Sequence, residues 1–461
     1  MRHVHFIGIG GYSMSGLAIL LHELGVEVSG SDMGRSSRTE RLQRLGITVY
    51  YGHEASQVGD ADVVVYTTDV PESNPERAKA LSEGRMLWHR SELLSYILDR
   101  YQSILVGGTA GKTTTSTMIG RILSEAGTDP TVLVGGEVAY FSGNVRLGHG
   151  PIAVAEADES DGSFLRYRPW IAVATNVEPE HLEHYQGSFE RLCQAFYQFV
   201  SQVSLDGLAI IGLDSAELAQ MRAQLSRQGV PWISYGLHPE AGVRARNIQA
   251  DASGTQFQVW HAESHVADVR LPIPGLHNVQ NALAAMAACQ HAGVDWPEAA
   301  LILGRFENAA RRFQRVYDDG RILVVDDYAH HPTKVMAALA AARQVTRGRV
   351  VALFQPQRYV RTQNLWQEFI HAFSDADEVY LTEIFSPPGE EAILGVTGER
   401  LADEMRHAQA GPVHFAADMR RLPEMILSGL GSGDTVITMG AGNVYQVAYA
   451  LRDALNAAKS G

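Results

Sequence analysis

Residues 103–118 read S-I-L-V-G-G-T-A-G-K-T-T-T-S-T-M, and the fold class follows from this stretch. The apolar run Ser103–Val106 is a short buried strand. Three glycines (Gly107, Gly108, Gly111) allow a tight turn, and Met118, Ile119, Ile122 and Leu123 then recur on one side of an amphipathic helix. Strand, glycine loop, Lys-Thr and helix together make a phosphate-binding loop. Backbone N–H groups at the helix start face phosphate oxygens, Lys112 adds a point charge toward the β/γ end, and the Thr113 hydroxyl is placed for Mg²⁺. Gly107, Gly108, Thr109, Ala110, Gly111, Lys112, Thr113 and Thr114 are therefore the expected nucleoside-triphosphate-binding segment. Val106 stands where the general pattern has its first glycine, so this is a shortened variant.

Composition sets the frame around that loop. The chain has 461 residues, 45% of them hydrophobic, enough for about three domains. Its 52 acidic residues exceed its 38 basic ones, a net charge of −14, which argues against a nucleic-acid binder with a basic stripe. Only four residues are lysines (Lys79, Lys112, Lys334, Lys459), and none lies between 112 and 334. Cys193 and Cys289 read as buried thiols in a reducing compartment rather than a disulfide framework. The sequence enters a strand at once, without a signal-like stretch, and no apolar run reaches membrane-span length. The expectation is a cytoplasmic protein without membrane insertion.

Upstream of the loop, residues 3–9 form a strand, Gly10-Gly11-Tyr12-Ser13 opens a helix to Leu24, and Val26–Ser29 is a second strand ending at Gly30-Ser31-Asp32. This βαβ unit resembles a dinucleotide fingerprint, but Ser13 replaces its third glycine. What survives is a helix N-terminus open to a diphosphate and a carboxylate suited to a sugar or base. A nucleotide-sugar satisfies both as well as NAD. Downstream, strand Ile152–Ala155 ends in E-A-D-E-S-D (156–161) and strand Ile171–Ala174 in T-N-V-E-P-E-H (175–181). Four carboxylates in six residues require either a cation or a solvated loop. Because ligands gather at the carboxyl ends of parallel strands, Glu156 and His181 are read as metal-associated groups. Thr255–His261 and His265–Leu271 alternate as an antiparallel hairpin. L-H-N-V-Q-N (276–281) then opens a helix, as a capping cluster or as a holder of adenine.

After residue 312 the pattern resets. Strands at 321–325, 349–354, 379–384, 413–416 and 435–438 alternate with helices, and polar clusters follow at 326–332, 355–361 and 440–443. The reading is an α/β protein of three domains. Residues 1–100 are Rossmann-like and carry the helix start suited to a diphosphate. Residues 101–308 form a central phosphate-loop ATPase-like parallel sheet with a small antiparallel edge. Residues 309–461 form a C-terminal Rossmann-like domain.

Taken together, H-F-I-G-I-G-G-Y-S-M-S-G (5–16), S-G-S-D (29–32), E-A-D-E-S-D, H-N-V-Q-N (277–281), R-R-F (311–313), D-D-Y-A-H-H-P (326–332), Q-P-Q-R-Y-V-R (355–361) and G-A-G-N (440–443) resemble the Mur ligases. These are ATP-dependent amide-forming enzymes of peptidoglycan synthesis, and the resemblance is to the alanine-adding branch. The short loop is similar to that family's G-T-x-G-K-T. The resemblance implies ATP, Mg²⁺, UDP-N-acetylmuramate and L-alanine as cofactors and substrates, in a monomer or weak dimer. It implies Lys112 on the triphosphate, Thr113, Glu156 and His181 around Mg²⁺, and His277, Asn278 and Asn281 at the adenine. Gly10, Gly11, Ser13 and Asp32 would hold the uridine-diphosphate end, and Arg312 and Asp327 would meet the nucleotide. Tyr328, His330, Arg358 and Arg361 would orient the muramate carboxylate and alanine, with Lys112, His181, Asp327 and His330 as the catalytic set. That branch usually has histidine at x, where this chain has Ala110. Two other readings stand beside the ligase: a nicotinamide-dependent oxidoreductase, and a paralogue with another acceptor or with nucleotide binding alone.

Overall fold

The computed structural model describes residues 1–251, 253–386, 390–408 and 411–460. The first sheet has five parallel strands, β1 (His3–Ile7), β2 (Glu27–Asp32), β3 (Thr48–Tyr51), β4 (Val63–Tyr66) and β5 (Met86–His89), in the order β3-β2-β1-β4-β5. The order reverses beside β1, so its carboxyl end, where Gly8–Gly11 turns into the helix Tyr12–Glu23, is a topological switch point. The second strand runs to Asp32, placing Ser31 and Asp32 within it rather than after it.

The second sheet has ten strands: β6 (Gln102–Gly107), β7 (Thr131–Val138), β8 (Gly143–Arg146), β9 (Ile152–Ala157), β10 (Ile171–Ala174), β11 (Leu208–Gly212), β12 (Trp232–Gly236), β13 (Val243–Asp251), β14 (Gly254–His261) and β15 (Ser264–Leu271). Their order is β15-β14-β13-β12-β11-β10-β6-β9-β7-β8. The expected hairpin strands β14 and β15 are present, joined through Ala262 and Glu263, both at positive φ. Three strands of this sheet went unread. In β7 and β8 glycines interrupt the apolar pattern, and β13 is largely solvent-facing, V-R-A-R-N-I-Q-A-D, so its alternation is faint.

The third sheet runs β16 (Gln314–Asp318), β17 (Leu323–Asp327), β18 (Val350–Phe354), β19 (Glu378–Leu381), β20 (Val413–Phe415) and β21 (Thr435–Met439), ordered β16-β17-β21-β18-β19-β20, with β16 antiparallel to β17. Its strands are apolar on both faces because helices cover both. Val325, Ala352, Phe354, Ile437 and Met439 enter one core, and their neighbours Val324, Val351, Leu353 and Val436 enter the other.

The chain forms two compact units. One comprises Met1–Arg246, Gln258–Val269 and Gln280–Gly304, and the other Asn247–Phe257, Arg270–Val279 and Arg305–Gly461. In the first, a single core cluster runs from Val4 and Phe6 through Leu105 and Ala155 to Phe196 and Ile211. No helix among the described residues is long and apolar enough to cross a membrane.

Candidate active site

Parallel pairing fixes the height of every group at the carboxyl end of the second sheet. Gly107 of β6 lies in register with Ala157 of β9 and Ala174 of β10. The next residues of each strand therefore emerge together. Gly111, at φ +86, caps the helix Lys112–Glu125, and Gly108 adopts φ +144. Side chains would not fit there: a Cβ on Gly108 would lie 1.8 Å from Thr175 Oγ1, and one on Gly111 2.6 Å from Asn281 Oδ1.

The residues after β10 are the frame of the loop. The Thr175 hydroxyl donates to Ala110 O at 2.5 Å, and the Ala110 N–H donates to Asn176 Oδ1 at 2.8 Å. Thr109 N–H reaches Asn176 O at 3.1 Å, and Glu178 N–H reaches Thr109 Oγ1 at 2.9 Å. Sequence reasoning treated this stretch as a source of ligands and missed its scaffolding role. The available signal was Thr-Asn directly after a strand beside the glycine loop. Asn281 also turns inward, accepting from Thr115 Oγ1 at 3.2 Å.

Lys112 is half-buried and donates to Gly108 O and to both carboxylate oxygens of Glu159, at 2.9 and 2.7 Å. Burial opposes its charge, but Glu159, Asp158 and Glu156 outweigh burial and raise its pKa above the ordinary lysine value. Glu156 accepts from the Thr113 hydroxyl at 3.2 Å and from Gly135 N–H at 2.5 Å, so two of the three expected metal-associated residues are in contact. His181 sits in the left-handed region at φ +57, 3.8 Å from both Glu180 and Glu183. Among the described residues, no group of three or more His, Cys, Asp or Glu is arranged to hold a metal ion.

The acidic run 156–161 is neutralised in a way the sequence did not reveal: its cations are protein side chains. Besides Lys112 on Glu159, Arg90 lies 3.3 Å from Asp158 and 3.8 Å from Asp161. The Thr68 hydroxyl donates to Asp161 at 3.2 Å, and His89 is 3.7 Å away. Burial works against the charge of Asp158, yet Lys112 and Arg90 hold its pKa below the usual carboxylate value.

At the first sheet, Gly8 and Ile9 N–H donate to Ser31 O, and Gly10 N–H donates to Asp32 Oδ2 at 2.8 Å. A Cβ on Gly10 would lie 2.7 Å from that oxygen. Asp32 thus shapes the turn at the helix start, while Ser13 is exposed on the helix's first turn. Arg38, missed in the sequence, donates to Gly10 O at 2.5 Å and lies over the Tyr12 ring at 4.1 Å. Behind the turn, the Ser31 hydroxyl donates to buried Glu76, which also meets His5 at 2.6 Å and His53 at 2.7 Å.

In the second unit the ends of β17, β21 and β18 are level, with Asp327 and Phe354 both paired to Met439. Asp327 accepts from Phe313 N–H at 2.7 Å and Ala329 N–H at 2.8 Å; burial raises its pKa against the pull of Arg312. Arg311 bonds Asp326 at 3.0 Å and the carbonyls of Gly440 and Gly442, so it locks the glycine turn to β17. Burial pushes Asp326 up to about 6 despite Arg311. Gln355 fixes the same turn through Asn443 at 2.9 Å and Val444 N–H at 3.2 Å. His330 Nδ1 meets Tyr328 O at 2.8 Å, and their rings cross edge-to-face at 5.2 Å. Arg358 takes φ +67, and Arg361 donates to Gln357 at 2.6 Å. Half-buried His277 has its pKa lowered to about 4 by burial and by Arg312. Asn278, buried, donates its amide to Pro274 O at 2.6 Å.

Three domain descriptions match this chain: "Mur ligase family, catalytic domain" over residues 3–102, "Mur ligase middle domain" over 106–289, and "Mur ligase, glutamate ligase domain" over 311–442. A UDP-N-acetylmuramate–L-alanine ligase of Symbiobacterium thermophilum is 49% identical over 457 residues, 98% of this chain and 95% of that protein. The chain belongs to the Mur ligase family. Among solved Mur ligases, the UDP-N-acetylmuramate-alanine ligase of Thermotoga maritima superposes with a TM-score of 0.83 at 27% identity, covering 99% of each chain. A murein peptide ligase of Psychrobacter arcticus gives 0.69 at 26%, also over 99% of each. The fold of this Mur ligase is thus shared with those solved structures.

Proposed function

We infer that this Mur ligase uses ATP to join L-alanine to the carboxylate of UDP-N-acetylmuramate, releasing ADP and phosphate, a step in making peptidoglycan precursors. The observation that carries the reading is the near full-length identity to a ligase of that name, joined to a loop whose lysine and helix start are built for a triphosphate. The nicotinamide alternative falls with the family assignment.

The chemistry suits the residues. A carboxylate is a poor acyl donor, so it first attacks the γ-phosphorus of ATP; ADP leaves and an acyl phosphate forms. Charge on the equatorial oxygens meets Lys112 and the N–H groups of the loop, and one such donor is typically worth about 10²–10³ in rate. The neutral amine of alanine then attacks the carbonyl carbon, phosphate departs, and an amide remains. His330 is the base proposed for the ammonium proton: Nδ1–H donating to Tyr328 O makes Nε2 the basic nitrogen. Arg358 and Arg361 would orient the carboxylates and Arg312 the nucleotide, with His277, Asn278 and Asn281 at the adenine and the Gly10–Asp32 turn at the diphosphate.

Thr113 and Glu156 present hard oxygen donors that fit Mg²⁺, an ion that commonly takes one or two protein oxygens and completes its shell with phosphates and water. His181 completes the proposed set. Bound there, the ion would neutralise phosphate charge. The three sheets are proposed as domains 1–100, 101–308 and 309–461, in a cytoplasmic monomer or weak dimer.

Ala110 favours one second reading, a Mur ligase with another amino substrate. Phosphate release from ATP, Mg²⁺ and UDP-N-acetylmuramate, with and without L-alanine, decides between them. Release that requires both substrates establishes the ligase. Release driven by a tripeptide and not by alanine replaces it with the second reading.

A further inference from the structure

Lys112 is held by an anion of its own chain. Its ammonium contacts both oxygens of Glu159, whose side chain is 3% exposed. The acidic residue is the anchored member of the pair. Glu159 O accepts from the Tyr185 hydroxyl at 2.5 Å and from Gly162 N–H at 3.1 Å. On either side of it, Asp158 and Asp161 also cap the backbone N–H groups of Ser160 and Ser163, at 3.1 and 2.9 Å. Arg90 and Thr68, from the ends of the first sheet, hold the outer oxygens of the same two residues. The loop 158–161 is thus fixed from both sides, whereas Lys112 sits on a flexible four-carbon stem.

We propose that Glu159 is a positioning residue: its carboxylate stands in for phosphate at Lys112, and nucleotide binding exchanges one anion for another at the same ammonium. The arrangement keeps the lysine paired and aimed when the site holds no triphosphate, and its consequence is a competitor that phosphate must displace. This rests on the reading of residues 106–118 as the ATP site.

The test is calorimetric titration of the full chain with ADP and with ATP, in EDTA and in Mg²⁺, for the wild type, Glu159→Gln, Lys112→Met and the double variant. Glu159→Gln is expected to bind both nucleotides about tenfold or more tighter, because a charge-assisted bond need no longer be broken. The gain should persist in EDTA and vanish in the Lys112→Met background. Without nucleotide, Glu159→Gln should melt below the wild type, and saturating ADP should narrow the gap. Equal or weaker binding by Glu159→Gln overturns the proposal, as does an equal gain without Lys112, which would signify general repulsion by a buried charge. If Glu159→Gln does not fold, Glu159→Asp keeps the charge at a shorter reach; nucleotide affinity no higher than wild type in a folded Glu159→Asp then overturns it. A wild type that binds neither nucleotide removes the ATP site itself, a distinguishable failure.

Discussion

Replacing Gly108 with alanine isolates what the phosphate loop owes to its frame. Two costs arise at that position. The backbone at φ +144 disfavours a side chain, a strain of about 1–2 kcal/mol. The new Cβ would also sit 1.8 Å from Thr175 Oγ1 and 3.2 Å from Asn176 N, so the Thr175–Ala110 and Asn176–Ala110 bonds must yield. Each bond is worth about 0.5–1.5 kcal/mol net, which brings the total to about 2–5 kcal/mol. Gly127 is the control: it has φ +83 and open space within 4 Å of a Cβ, and so carries the strain alone. Urea unfolding should show Gly127→Ala losing about 1–2 kcal/mol with ATP affinity intact. Gly108→Ala should lose more and weaken ATP binding by about 10²-fold, the scale of an ångström's misplacement. Combining Gly108→Ala with Thr175→Ala should cost less than the sum of the two, because both remove the same bond. Wild-type affinity in Gly108→Ala, once that variant is shown to be folded, refutes the claim that the residues after β10 set the loop.

The other predictions concern titration and the loop's variable position. The folded pKa of His277, about 4, lies below the ordinary histidine value. The unfolded chain therefore binds the extra proton between about pH 4 and 6.5, and stability rises with pH across that window. This contribution is complete above about pH 6.5 and lost as pH falls toward 4. Converted in full it is about 3 kcal/mol, reduced to about 2 for a half-buried ring. His277→Gln should flatten the acid limb of the unfolding curve by that amount, and an unchanged limb contradicts the assignment. At Ala110 the backbone is bonded on both sides and φ is unexceptional. Ala110→His should melt with the wild type and raise alanine-dependent phosphate release by about tenfold, the worth of one charge-assisted bond. An unchanged or lower rate would make Ala110 the residue this site prefers.

Much of this was legible before the structure, because hydrophobic runs, glycines and polar strand ends leave marks in sequence. The strand Ile171–Ala174 stands where its apolar run placed it, and the hairpin strands β14 and β15 each begin one residue earlier than the alternation suggested. The phosphate loop, its glycines and its helix follow the same logic. What escaped depends on pairing across distance. The sequence shows four carboxylates in six residues but not that Lys112 and Arg90, 47 and 68 residues from their partners, neutralise them. It shows Arg311 and Arg312 side by side, not that Arg311 binds the glycine turn 131 residues on. Edge strands such as β13 were lost because a solvent-facing strand lacks the apolar contrast on which period-two reading depends.

The order of the second sheet also has a bearing on how the chain is made. The strand β6 emerges early, yet its two neighbours are β9 and β10, and the side chain that holds Ala110 N–H belongs to Asn176, 66 residues later. At a synthesis rate of roughly 5–20 residues per second, that segment follows after about 3–13 s. Until its end the glycine loop has neither β10 nor its clamp, and parallel pairing must await loop closure over dozens of residues. Nucleotide competence on the ribosome would therefore arrive late and in one step, when β10 and the Thr-Asn that follows it come into reach.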